Sequence, residues 1–430
     1  MLRKTLHTFA TLLFGQGSSI AAGIAVAHAF GPSGRGILSF AAILLTFAFT
    51  TSDGVRNAVA FQIGNEGRDA RSVWATALRL MAAISPLGIV AFLGLWQFTR
   101  SQPAYLYVAL AFPFALYSQA VGIVYFLRDR NEEFNLRNAA TIGGGGSLVT
   151  LVLVLAFHAS VAVVLDAWLA SYVVAAVWSA FGVGAMLGPP GVRERNLLRE
   201  QVTFVGKSAL SNNVTFLALR VDVFIVSAFA SVASLGIYTL ALATGEIMWG
   251  ASKSLYWSAS GRVATLPLAE AAALTARIVR LITAMQFVVG VALFAIGPWL
   301  ISIAYGGRFI ESGSVLRVLL PGMILYSADG MLSYFIAVRA GRPGLLLGLE
   351  CVTLGICATI AYATIGRYGI LGPAVADTVA YVASYVVKMN VFCRLSGLGF
   401  WHVAIPRFED VPYALRLRAR ALVAGRPADL

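Results

Sequence analysis

The sequence predicts an all-α integral membrane protein of about twelve transmembrane helices in two pseudo-symmetric six-helix lobes. Composition, the spacing of apolar runs and an internal repeat predict it. Of 430 residues, 59% are hydrophobic and only 12% are charged, with a mean hydropathy of +0.81. Soluble domains carry about 25% charged residues, so this balance excludes a soluble globular fold. The formal charge of +13 does not point to nucleic acid, because surplus Lys and Arg in membrane proteins collect in cytoplasmic loops. Cys351, Cys357 and Cys393 lie in or beside apolar runs without metal-ligand spacing, so neither a disulfide framework nor a metal site is indicated. Four scattered histidines add no metal site, and no cofactor is expected.

Runs of about 20 apolar residues, the length that crosses a bilayer, lie near 6–30, 36–63, 72–98, 104–127, 139–158, 161–187, 202–229, 235–258, 273–304, 314–338, 344–366 and 370–393. The first run, with Arg3-Lys4 before it and Ala27-His-Ala29 at its end, imitates a signal peptide. It is too long for a signal core and has a counterpart in the second half, so it is kept as span 1. Pro86, Pro113, Pro298, Pro321 and Pro373 are expected to kink their spans. Gly143 to Gly146 permit close helix approach or a hinge in span 5, with packing favoured. The segment 188–201, rich in Pro, Gly and charge, reads as a linker. It separates an N-terminal lobe at 1–187 from a C-terminal lobe at 202–393, and a basic tail occupies 394–430.

Basic residues set the orientation. Arg68, Arg71, Arg128, Arg130, Arg137, Arg193, Arg195, Arg199, Arg262, Arg339 and Arg342 fall in breaks on one side, together with both termini. Opposite breaks hold only Arg35, Arg100, Arg308 and Arg367. The positive-inside rule then places both termini in the cytoplasm. Arg416, Arg418 and Arg420 in the tail suit contact with anionic lipid as well as simple solvation.

The halves repeat. Gly36-Ile-Leu-Ser-Phe-Ala matches Gly236-Ile-Tyr-Thr-Leu-Ala, and Leu78-Arg79-Leu80 matches Val279-Arg280-Leu281. Leu116-Tyr-Ser118 with Tyr125-Phe126 matches Leu325-Tyr-Ser327 with Tyr334-Phe335, and Ala170-Ser-Tyr-Val-Val174 matches Ala383-Ser-Tyr-Val-Val387. The offset grows steadily and span order is kept, as duplication with small insertions leaves it. Six spans per half give the copies one topology about an axis along the membrane normal. Halves of this kind enclose a central cavity and alternate its access, so the architecture favours transport.

Charges inside the spans mark where the chemistry lies. Asp or Arg near a helix centre costs about 2.5–3.5 kcal/mol each, so such residues face a protein interior or a watery cavity. In span 2, Thr46, Thr50, Asp53 and Asn57 share one helical face, and Arg56 is spaced to pair with Asp53. The repeat transfers that face to Glu246, Gly250, Lys253 and Trp257 in span 8. Span 7 adds Lys207, Asn212, Asn213, Arg220 and Asp222. Asp53, Arg56, Lys207, Asn213, Arg220, Asp222, Glu246 and Lys253 are therefore the candidate substrate-binding residues of a central cavity. Its cations would hold an anion such as pyrophosphate in a low dielectric. A packing ion pair is the competing account of Asp53 and Arg56, and interfacial snorkelling that of Lys207. Asp53, Glu246 and Asp329 are candidates for coupling to H⁺ or Na⁺. Asp166, Asp329, Glu350 and Asp377 are intramembrane acids that could relay protons or coordinate Na⁺, or bond neighbouring helices, with helix bonding favoured. No P-loop is present, and no long external loop suggests an enzyme.

Four segments carry a family resemblance: Phe30-Gly-Pro-Ser-Gly-Arg-Gly36, Asp53-Gly-Val-Arg56-Asn-Ala, Leu235-Gly-Ile-Tyr-Thr and Tyr368-Gly-Ile-Leu-Gly-Pro-Ala-Val-Ala376. Arg220-Val-Asp222 and Tyr305-Gly-Gly-Arg308-Phe fit the same pattern. Together they resemble the Wzx-type polysaccharide and O-antigen flippases of the multidrug/oligosaccharidyl-lipid/polysaccharide (MOP) superfamily. Phe30 stands where Leu is usual and Pro373 where Ala is commoner. The resemblance implies two six-helix lobes facing each other as a MATE-like V. It also implies an undecaprenyl-pyrophosphate-linked oligosaccharide moved from the cytoplasmic to the periplasmic leaflet of the bacterial inner membrane by an ion gradient. Membrane lipids and polysaccharide-assembly proteins are the expected partners, and no nucleic acid is. The alternatives are a MATE-like drug or cation antiporter, a membrane glycan polymerase or ligase, and a non-transporting scaffold.

Overall fold

The computed structural model describes residues 2–64, 66–98, 102–188, 191 and 195–407, without the side chains of 2–10, 12, 13 and 195. Expectations on the side chains of Arg3, Lys4 and Arg195, on Arg100 and Arg193, and on the tail from Phe408 onward lie outside the described residues. All regular structure among the described residues is helical. The chain forms two compact units, Met1–Thr239 with Ser302–Phe309, and Leu240–Ile301 with Ile310–Leu430.

In the first unit, α1 (Leu2–Gly64) is two helices joined at Gly31, whose φ of 63° and ψ of −165° belong to a region open almost solely to glycine. Pro32 restarts the helix, because its fixed φ suits a first turn. There follow α2 (Ala70–Phe98), α3 (Pro103–Ala120), α4 (Gly122–Leu127), α5 (Asn131–Ala140), α6 (Gly144–Leu155), α7 (Val161–Leu187), α8 (Arg195–Ala218), α9 (Val221–Phe229) and the start of α10 (Val232–Glu246). α1 is the central element and packs on α3, α6 and α8. At the α5–α6 break, a Cβ on Gly144 would meet the Phe14 ring at 2.1 Å, so this glycine serves packing. Gly36 and Gly236, which the repeat aligns, touch backbone to backbone. A Cβ on Gly236 would lie 1.9 Å from the Pro32 carbonyl oxygen, and one on Gly36 2.3 Å from that of Val232. Small residues let membrane helices approach this closely.

The second unit contains the end of α10, then α11 (Trp249–Thr265), α12 (Leu268–Tyr305), α13 (Ile310–Tyr326), α14 (Asp329–Tyr334), a π-helical turn (Phe335–Arg339), α15 (Pro343–Tyr368), α16 (Leu371–Ser396) and α17 (Phe400–Ala404). α16 packs against both α13 and α15. Val279, Ile282, Met331, Phe335, Met389 and Phe392 form the core, with the Phe335 and Phe392 rings edge-on at 4.8 Å.

Among the described residues, eight helical stretches are long and apolar enough to cross a membrane, and two bent pairs raise the number to ten. The Gly31 break makes two helices of α1, and α16, interrupted by Asp377 and Lys388, is a further full-length helix. With each bent pair counted as one span, the described residues hold twelve helical stretches of spanning length. The bent pairs turn by 59° between Ala218 and Val221 and by 45° between Glu246 and Trp249. Neither break contains proline. Pro86, Pro113, Pro298 and Pro321 lie inside continuous helices, and Pro373 sits in the first turn of α16, where its missing N–H breaks no bond. Leu87, Phe98 and Phe181 are 70–90% exposed, which suits contact with lipid and not with water.

Candidate functional site

The polar stripe of α1 lies against α8. Thr50 Oγ1 donates to Asn213 Oδ1 at 2.7 Å, and Asn212 Nδ2 donates to the Thr50 carbonyl at 3.3 Å. Asn213 Nδ2 reaches Thr51 Oγ1 at 3.4 Å, and Asn57 Nδ2 reaches Ser208 Oγ at 3.4 Å. Gly54 permits this approach, since a Cβ there would stand 3.2 Å from the Ala209 amide nitrogen. Asp53 and Arg56 form their ion pair at 3.1 Å, with side chains 50% and 30% exposed. The Arg56 guanidinium also sits 5.7 Å from the centre of the Phe126 ring. Lys207 is exposed on α8.

The other candidates are placed differently. Arg220 stands at the α8–α9 bend, outside helical φ/ψ. Asp222 is fully buried and accepts from the Tyr238 hydroxyl at 2.6 Å. In the second unit, the break after Glu246 interrupts the stripe proposed to run on to Gly250, Lys253 and Trp257. Lys253 is exposed on α11, and Trp257 is 67% exposed.

Sequence reasoning overlooked Lys388. Its ammonium, with no exposed surface, donates to Asp329 Oδ2 and Glu350 Oε1, each at 2.7 Å. Ser384 Oγ donates to Asp329 Oδ1 and Ser333 Oγ to Asp329 Oδ2, both at 3.1 Å. The Tyr326 ring centre lies 5.8 Å from Nζ. Asp329 therefore already holds a cation, covalently tethered to α16. Asp377 accepts from the Cys357 thiol at 3.1 Å. A lysine within the apolar run 370–393, opposite acids in two preceding spans, was the available signal.

These features sit in a fold with close relatives in shape. An inward-facing multidrug resistance MATE transporter of the MOP superfamily superposes with a TM-score of 0.69 at 14% identity, covering 89% of this chain and 95% of that one. The lipid II flippase MurJ, in an inward closed conformation, gives 0.69 at 12% identity, covering 92% and 90%. The fold is that of MATE transporters and MurJ. An outward-facing MATE transporter matches at 0.60 and 15% identity, covering 92% and 95%. No family model matches the sequence, and no curated protein matches it. The chain is thus a multi-pass membrane protein of MATE and MurJ architecture.

Proposed function

We propose that the protein is a flippase that moves a lipid-linked oligosaccharide, carried on undecaprenyl pyrophosphate, across the bacterial inner membrane for surface polysaccharide synthesis. Both termini then lie in the cytoplasm, with the lobes at 1–187 and 202–393 alternating access to a central cavity. The observation that supports this best is how charge is exposed. The acids Asp222, Asp329, Glu350 and Asp377 are buried and engaged, whereas Lys207 and Lys253 are exposed and Arg56 keeps 30% of its side-chain surface. Accessible cations on apolar helices favour an anionic substrate. Asp53 tempers Arg56, and Lys207 and Arg220 extend the cationic set. A cation antiporter needs accessible carboxylates, and of the candidate binding acids Asp53 is already paired with Arg56 and Asp222 is buried.

Replacing Arg56, Arg220 and Lys253 singly with Ala, in the organism that makes the glycan, is expected to abolish surface polysaccharide while membrane protein level is kept. Normal polysaccharide in all three strains sinks the site assignment. Deleting the gene is expected to leave a lipid-linked glycan accumulating on the cytoplasmic side, and its identification names the sugar.

A further inference from the structure

A cavity of about 300 Å³ lies inside the first unit, between α1, α6 and α7. It is distinct from the Asp53–Arg56 stripe. Small-molecule sites run from about 300 to 1,000 Å³, so this one has room for a ligand of roughly one sugar ring. Its wall combines one guanidinium, hydroxyls and aromatic rings: Arg35, Ser39, Ser147, Thr150, Trp168 and Tyr172. Much of the rest of the wall is apolar, from Ala22, Val26, Leu38, Ala42 and Ile142, so a cation and hydroxyls are set within a largely apolar lining.

Arg35 is the one charged group among the described lining residues. Its Nη1 donates to the Gly23 carbonyl at 3.0 Å, and its guanidinium lies 5.1 Å from the Tyr305 ring centre. Gly23 makes room for it, since a Cβ there would stand 3.1 Å from Nη1. Among the described residues no carboxylate is within ion-pair distance of Arg35. The Gly23 carbonyl and the Tyr305 ring are neutral partners, so the positive charge stays uncompensated and can meet an anion in the cavity. The cavity wall also carries hydroxyls that are themselves held in place. Ser147 Oγ is 3.0 Å from Ser19 Oγ, and Trp168 Nε1 donates to Thr150 Oγ1 at 2.9 Å. The indole is thereby fixed as a flat apolar wall, the surface on which a sugar ring stacks.

We infer that this cavity binds a small hydroxylated anion, one ring or polyol carrying a single carboxylate or phosphate, with Arg35 as its counter-ion. The inference goes beyond the flippase assignment and does not rest on it, because a site for one acidic ring is complete within the first unit. Two sources offer this chemistry, an acidic sugar and the headgroup of an anionic phospholipid.

Calorimetric titration of the full chain in a neutral detergent tests it with glucuronate, glucose and glycerol 1-phosphate. A charge-assisted contact of this kind is expected to favour the anions over glucose by about 10- to 100-fold. Tighter binding of glucuronate assigns the site to a sugar acid, and tighter binding of glycerol 1-phosphate assigns it to a lipid headgroup. Arg35→Gln is expected to lose that preference. Ala42→Trp, which adds bulk to the cavity wall two helical turns from Arg35, is expected to lose binding of all three while thermal stability is retained. Equal binding of glucose and glucuronate, an unchanged preference in Arg35→Gln, or no saturable binding of either anion overturns the inference. A loss of surface polysaccharide in the Arg56 variant bears only on the flippase assignment, so the two proposals fail separately.

Discussion

The Asp53–Arg56 pair of the first unit and the Lys388–Asp329–Glu350 network of the second begin from the same signal, charge inside an apolar run, and end in opposite physical states. In the network every charged side chain is 4% exposed or less, and hydroxyls from Ser333 and Ser384 complete the coordination of Asp329. In the pair, one contact at 3.1 Å leaves half of the Asp53 side chain and 30% of the Arg56 side chain accessible. Intramembrane charge is thus two things. Where it is buried against an opposite charge, it ties helices together even with Glu350 Oε2 left unbonded, and where surface remains, it is available to a ligand.

The comparison is broken most easily at Lys388. Lys388→Met leaves two buried carboxylates without a cation and is expected to cost about 3–5 kcal/mol, read as a fall in the thermal unfolding midpoint in detergent. Adding Asp329→Asn and Glu350→Gln removes the stranded charges and is expected to restore most of that loss. A single variant as stable as the wild type would show that the network is not a closed tie. The Asp53–Arg56 pair stands at the other end. A double-mutant cycle with Asp53→Asn and Arg56→Gln is expected to give a coupling below about 1 kcal/mol, as exposed pairs do. A coupling as large as the Lys388 loss would return the pair to the class of packing contacts.

Spans and the Gly31 break were legible because both depend on local composition: long apolar runs are visible in any window, and Gly31-Pro32 stops and restarts a helix by backbone chemistry alone. The pairing of Asp53 with Arg56 was legible for the same reason, as a neighbour relation within one helix. Lys388 was not. Its partners come from α14 and α15, and no local pattern states which face of α16 they meet. The bends at Arg220 and Met248 were also hidden, since neither contains proline. At Arg220 the backbone leaves helical φ/ψ, so helical periodicity does not carry from α8 into α9. Cavity-lining Arg35 looked like a loop residue because it follows the Gly31 break, although α1 resumes before it.

Asp69 offers a third setting, an acid wholly outside the membrane helices, and the smallest effect. It precedes α2, and its Oδ2 accepts from both the amide and the hydroxyl of Ser72 at 2.9 Å, the arrangement of an N-terminal cap. The Ser72 amide bond, with the Ser72 hydroxyl and Arg71 adding to it, lowers the carboxyl from its ordinary value of 3.8. A lowered value means that the folded helix start binds the ionised form. The contribution is therefore fully present above the ordinary value and is lost as pH falls through the lowered one. Asp69→Asn caps the helix without titrating. Hydrogen exchange at the first turn of α2, taken as the ratio of wild type to Asp69→Asn at each pH, is expected to show extra protection in the wild type near neutrality. That extra protection should disappear on acidification below 3.8. A ratio that stays constant across this range would mean that the cap acts by geometry alone, and charge in this chain would then matter only where the membrane makes it expensive.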